Sequence, residues 1–190
     1  MSQAKFIQWS GWFCIFGGIF FAASSLSQLQ PGAQTNTLWI TAVVPGLVLI
    51  TLGMLGIFLR YNAHLNLFGR LALLAALAGS TVATAGWLLS GTVNSSLWNI
   101  FLMGWLLYLA GHSVFGGFAA TTHLLPKWNY AMLIGSALPL TILVLWFDRQ
   151  QTSGADWGAV AMFLLIGIGW IVTGWALNSR PTVSAQPITA

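Results

Sequence analysis

Between Leu97 and Leu125 the chain reads LWNIFLMGWLLYLAGHSVFGGFAATTHLL, a long apolar run with one ionisable residue, His112, near its middle. Gly111, Ser113, Gly116 and Gly117 crowd that histidine. A run of roughly 20 apolar residues matches the hydrocarbon thickness of a bilayer and predicts a transmembrane helix. Lipid offers the backbone no hydrogen-bond partners, so a spanning segment must be a helix or part of a closed barrel. The apolar stretches here are continuous rather than alternating, which excludes the barrel. The chain is 57% hydrophobic and 4% charged, against about 25% charged in a soluble domain. A soluble fold of 190 residues could not hide so much apolar surface.

Six spans follow in order. The first runs from Phe6 to Leu26, behind Lys5 and with Trp9 and Trp12 near its start. Its charged start and small residues Ala22, Ala23 and Ser24 also fit a signal peptide, but the apolar run is longer than such a core and holds bulky aromatics. Pro31 and Gly32 mark a polar turn in Gln28 to Asn36. The second span, Thr37 to Leu59, contains Pro45, which predicts a kink, and Gly46 and Gly53 on one face, which permit close helix approach. A basic loop is predicted from Arg60 to Arg70, holding His64. The third span, Leu71 to Leu89, carries Ala72, Ala76, Ser80 and Thr84 at i+4 steps, a small-residue stripe suited to another helix. A polar loop, Ser90 to Ser96, leads into the central span, which ends in a loop from His123 to Trp128. The fifth span is Asn129 to Phe147 with Pro139 at its centre, and the sixth is Trp157 to Leu177. Residues 1–177 form one domain, and 178–190 are a polar tail expected to be disordered.

With the N-terminus on one side, that side receives Lys5, Arg60, Arg70, Lys127 and Arg180, while the other receives Arg149 flanked by Asp148 and Asp156. The positive-inside rule places both termini in the cytoplasm. The six basic residues are scattered between spans, with no stripe of the kind that binds nucleic acid. The expected class is therefore an all-α polytopic membrane bundle of six helices in a bacterial inner membrane. Its partners are the bilayer and, through helix faces, other membrane subunits or further copies of the chain.

Trp9-Ser10-Gly11 followed by Gly17-Gly18, then Leu52-Gly53 and Gly56 leading to Arg60, then Gly69-Arg70-Leu71 and Leu125-Pro126-Lys127-Trp128, resemble a diffuse class of small bacterial six-helix integral membrane proteins. The resemblance spans most of the chain. It implies a membrane bundle, and it carries over no reaction and no functional residue.

The chemistry-bearing residues are few. No acid lies in any span, which disfavours carboxylate-based ion coupling. No metalloprotease helix motif, paired carboxylate or phosphate loop occurs. His64 and His123 sit in or beside basic loops and lack a third ligand, so no metal site is expected. The lone Cys14 reads as a small buried hydrophobe.

His112 is different, because an ionisable residue inside a span is a functional-site hypothesis by default. Trp105, Tyr108, His112 and Gly116 share one helix face. The expected role is structural, a neutral imidazole bonded to a serine, a threonine or a backbone carbonyl of a neighbouring helix. Two alternatives stand beside it. One is axial ligation of haem or chlorin, with Gly111, Ser113 and Gly116 leaving room for the macrocycle. The other is a polar contact to a lipid or quinone walled by Trp105 and Tyr108.

Trp9, Trp12, Trp39, Trp98, Trp128, Trp146, Trp157 and Trp175 fall near span ends, as an aromatic belt should. Trp105 and Trp170 lie deeper, either as core packing or in one aromatic pocket with His112. The functional expectation is a non-enzymatic structural or accessory subunit. The alternative is a binder or carrier of a small hydrophobic ligand or cofactor at His112.

Overall fold

The computed structural model describes residues 2–29, 37–93, 95–124, 130–146 and 156–179. Lys127, Arg149, Arg180, most of the first polar loop and nearly all of the C-terminal tail lie outside the described residues. Among those described the chain is all α: α1 Gln3–Ser27, α2 Thr37–Tyr61, α3 Leu67–Thr92, α4 Trp98–Thr121, α5 Tyr130–Trp146 and α6 Trp157–Asn178. All but α5 are long and apolar enough to cross a membrane, and α5 is a shorter apolar helix of 17 residues. Pro45 and Pro139 lie inside α2 and α5.

Three boundaries differ from the sequence expectation. Arg60 and Arg70 both sit in helices, and the loop between them shrinks to a single 3-10 turn, Asn62–His64, with Leu65 and Asn66. Asn66 explains the early start of α3: its Oδ1 accepts the Gly69 amide at 2.8 Å, a standard N-cap. At the other end of α3 the helix continues through Ser90 to Thr92. In α4 the apolar run outlasts the helix. His123 turns left-handed at φ 52°, and the Leu124 amide bonds back to the Ala119 carbonyl at 3.2 Å. This is a Schellman-type stop, which closes carbonyls the helix end would leave open.

Successive helices run antiparallel and pack as neighbours, and α1 closes the ring by packing along α6. Glycine makes this possible. Lipid gives helices no hydrophobic reason to associate, so close backbone approach carries much of the attraction. On α1 and α6 the pairs Gly11 with Gly174 and Gly18 with Gly167 lie so close that a Cβ on any of them would overlap the facing helix. On α3 and α4, Gly79 faces Tyr108 and Gly104, Gly86 faces Phe101, and Gly111 faces Ala76. On α2, Gly46 sits against Phe21 and Gly53 against the buried Cys14 thiol. In each of these helices the two glycines are seven residues apart, two turns along one face.

Three of the four residues of the small-residue stripe of α3 face other helices, divided between two, while Thr84 bonds to the Ser80 carbonyl of its own helix. Ala72 and Ala76 back onto α4 at Gly111. Ser80 turns to α2, where the Thr51 hydroxyl donates to it at 2.9 Å. Outward, Leu74, Val82, Met103, Leu107, Ile134, Leu138, Leu164 and Ile168 are exposed. A water-facing surface would not carry so much contiguous apolar area, but a lipid-facing one does.

Among the described residues the two ends of the ring differ in charge. α1 starts, α2 ends and α6 ends at the same end, since Ser10 meets Gly56 and Gly11 meets Asn178. That end carries Lys5, Arg60 and Arg70. The opposite end carries Asp156, whose amide is tied to the Gln28 carbonyl at 3.0 Å.

Candidate functional site

The interior of the ring is filled from α4. Trp98, Phe101, Trp105, Tyr108, His112, Phe115 and Ala119 follow one another at steps of three and four, which keeps one seam pointing inward. The rings form a column. Centroid separations are 4.6 Å from Trp98 to Phe101, 5.7 Å to Trp105, 5.3 Å to Tyr108 and 5.7 Å to His112. Beyond His112 the next ring comes from α6: Trp170 lies on the imidazole at 4.7 Å and 11°. The Trp170 Nε1–H donates to the Tyr108 hydroxyl at 2.7 Å. Phe21 of α1 stacks on Trp105 at 5.6 Å and on Phe163 of α6 at 5.8 Å. Aromatic pairs in offset geometry add about 0.5–1.5 kcal/mol each beyond burial, so the column ties three helices together.

His112 is 2% exposed, and both of its ring nitrogens are buried with no hydrogen-bond partner. The bond expected to a neighbouring serine, threonine or carbonyl is not formed. The hydroxyls of Ser113, Ser136 and Thr173 donate within their own helices and not to the imidazole. Ser113 donates to Leu109, Ser136 to Met132 and Thr173 to Gly169, each to a carbonyl of its own helix at 2.7 or 2.8 Å. A hydroxyl has one proton, and in these residues it is already engaged four residues back. The imidazole is therefore held by faces rather than edges.

The structure brings together Tyr108, His112 and Trp170, and sets Trp105 one ring further along the column. Gly116 stands apart: it lies against the backbone of Met132 and Leu133 on α5. Gly111 is likewise covered by α3. The room that these two glycines would offer a macrocycle is filled by helix backbone. Gly117 has open space where a Cβ would project.

Phe21 and Phe163 belong to the site and were not singled out from sequence. The three-four spacing of aromatics on α4 was the available signal for the column, but nothing local identifies which rings of α1 and α6 meet it. Trp98 stands at the first residue of α4, at the span end expected of it, and is half-buried. One side of it packs against Phe101 and against Trp87 of α3 at 5.2 Å. Trp9, Trp12, Trp157 and Trp175 are exposed, as belt residues should be, while Trp128 lies outside the described residues. Among the described residues no group of three or more histidine, cysteine or acidic side chains is placed to hold a metal ion. Comparison of the chain with protein-family models, curated proteins and solved structures finds no match.

Proposed function

We propose that this multi-pass membrane protein binds a small lipid-soluble ligand in its aromatic core, with His112 as the polar contact. The single observation behind this reading is the imidazole with both nitrogens buried and unbonded. Leaving a buried polar group unsatisfied costs about 1–3 kcal/mol, and folded proteins tolerate few such groups. In its neutral form the ring offers one donor and one acceptor. A ligand head that accepts from one nitrogen or donates to the other removes the penalty. With Tyr108 and Trp170 stacked on its faces, the imidazole offers a ligand only its edges, which suits a small carbonyl compound of the quinone class better than a macrocycle, for which Gly111 and Gly116, covered by helix backbone, leave no room.

The same observation weighs against the alternative of a purely accessory subunit acting through its outer helix faces. A core selected only for packing gains nothing from an unpaired imidazole where phenylalanine would stack equally well. We place the chain in a bacterial cytoplasmic membrane, and the charge asymmetry of the two ends supports an orientation with the Lys5, Arg60 and Arg70 end inside.

The test is extraction. Wild-type protein and His112→Phe are purified in mild detergent, washed, extracted with organic solvent and examined by mass spectrometry and absorbance. The expected result is a hydrophobic compound near equimolar in wild type and absent from His112→Phe, with both proteins folded. Identical extracts from the two proteins would overturn the reading.

A further inference from the structure

At the basic end of the ring, α2 finishes on Arg60 and Tyr61, and the chain turns through Asn62–His64 towards α3. The Arg60 guanidinium is half used. Its Nη1 donates to the Leu177 carbonyl at 3.1 Å, in the last turn of α6, where open carbonyls and the helix dipole favour a cation. Its Nη2 is buried and unbonded. Beside it, with Arg60 Cζ 5.6 Å from the ring centroid, lies Tyr61. Tyr61 is 7% exposed, and its hydroxyl is also buried and unbonded. Asn62 Oδ1 is a third buried atom without a partner. An amide turned end for end fills the same shape and puts a donor there instead.

No carboxylate answers this cation among the described residues. Asp156 stands at the opposite end, accepting the Ala159 amide at 2.9 Å as the cap of α6. Arg70 adds positive charge nearby, folded onto the Asn62 carbonyl at 3.2 and 2.9 Å. A guanidinium nitrogen withdrawn from water with no acceptor and no counter-charge is costly. The planar guanidinium fork matches phosphate oxygens.

We propose that Arg60, Tyr61 and Asn62 form a site for a phosphate group, supplied by the headgroup of an anionic lipid in the leaflet at this end. Arg60 Nη2 and the Tyr61 hydroxyl donate to phosphoryl oxygens, and the turned Asn62 amide gives a third donor. Arg60 as a whole is half-buried while its Nη2 is covered, so a headgroup engages Nη2 from the surface as the guanidinium turns outward. The lipid source follows from the setting. The site closes a spanning helix, and Leu67, Phe68 and Leu71, just beyond the turn, are exposed apolar side chains that seat acyl chains. The site stands at one end of the bundle and does not depend on the reading of His112.

The test uses the full chain, purified and stripped of lipid. Its melting temperature is followed while phosphatidylglycerol, phosphatidylcholine or inorganic phosphate is added. Wild type should be stabilised by phosphatidylglycerol well beyond phosphatidylcholine. Tyr61→Phe keeps the ring and removes an orphan hydroxyl, so its melting in phosphatidylcholine should be unchanged or higher, while its affinity for phosphatidylglycerol falls about fivefold. Arg60→Gln should lose at least about tenfold. Equal stabilisation by the two lipids, or a Tyr61→Phe protein that keeps the wild-type response, overturns the site. Inorganic phosphate that reproduces the full effect in phosphatidylcholine supports the phosphate chemistry and overturns the lipid source.

Discussion

The indole of Trp170 covers the imidazole of His112 at 4.7 Å between centroids and 11° between planes, and the same indole donates its N–H to Tyr108 at 2.7 Å. One side chain of α6 thus fixes two residues a turn apart on α4. It uses its edge for the phenol and its face for the imidazole.

Trp170→Phe keeps a face on His112 and removes the bond to Tyr108. Loss of a buried hydrogen bond together with ring volume should cost about 1–3 kcal/mol. Tyr108→Phe removes the same bond but leaves the indole N–H unpaired. Because both substitutions break one interaction, their double mutant should lose less than the sum. Chemical denaturation in detergent measures this, and strictly additive losses would show that the bond contributes nothing.

At His112 there is no hydrogen bond to lose. In ligand-free protein His112→Phe should therefore melt at or above the wild-type temperature. His112→Leu gives up the stack on Trp170 and should cost about 0.5–1.5 kcal/mol. A His112→Phe protein that melts well below wild type would mean that the imidazole edges are satisfied in the membrane by something the protein retains.

Two glycines of α4 separate packing from propensity. A Cβ at Gly104 would overlap the backbone of Gly79 and Ala83, so Gly104→Ala must push α3 away, and such overpacking costs about 1–3 kcal/mol. A Cβ at Gly117 meets nothing within 4 Å, so Gly117→Ala should stabilise the helix by up to about 1 kcal/mol. Thermal melts of the two variants should move in opposite directions.

Topology is testable through the ends of the ring. Ser2→Cys, at the Lys5, Arg60 and Arg70 end, should resist a membrane-impermeant thiol reagent in intact cells and label after lysis. A cysteine at Asp156 should label in intact cells. The native Cys14 is buried and should not contribute. The reverse pattern would invert the orientation.

Much of the fold was legible because lipid imposes local rules. A backbone without water must be helical, and apolar length sets each span, so helices within a few residues of their ends could be read one at a time. The stripe at Ala72 and Ala76 announced a helix contact, and Gly46 and Gly53 did the same, because small residues on one face have little other use in a membrane.

What no local pattern carries is the choice of partner. Gly79 and Gly86 could have met any helix; that they meet α4 is settled by antiparallel register between segments distant in sequence. The state of His112 is the clearest case. From sequence its crowd of Gly111, Ser113 and Gly116 suggested either a hydrogen-bonded imidazole or an open berth. In the tertiary structure Ser113 bonds to its own helix, the two glycines admit α3 and α5, and Trp170 arrives from 58 positions away to cover the ring. The sequence by itself determined that an ionisable ring lies inside the membrane. Only the packing of all the helices decided that its edges find no hydrogen-bond partner, because a hydrogen bond depends on where non-local side chains end, and hydropathy does not.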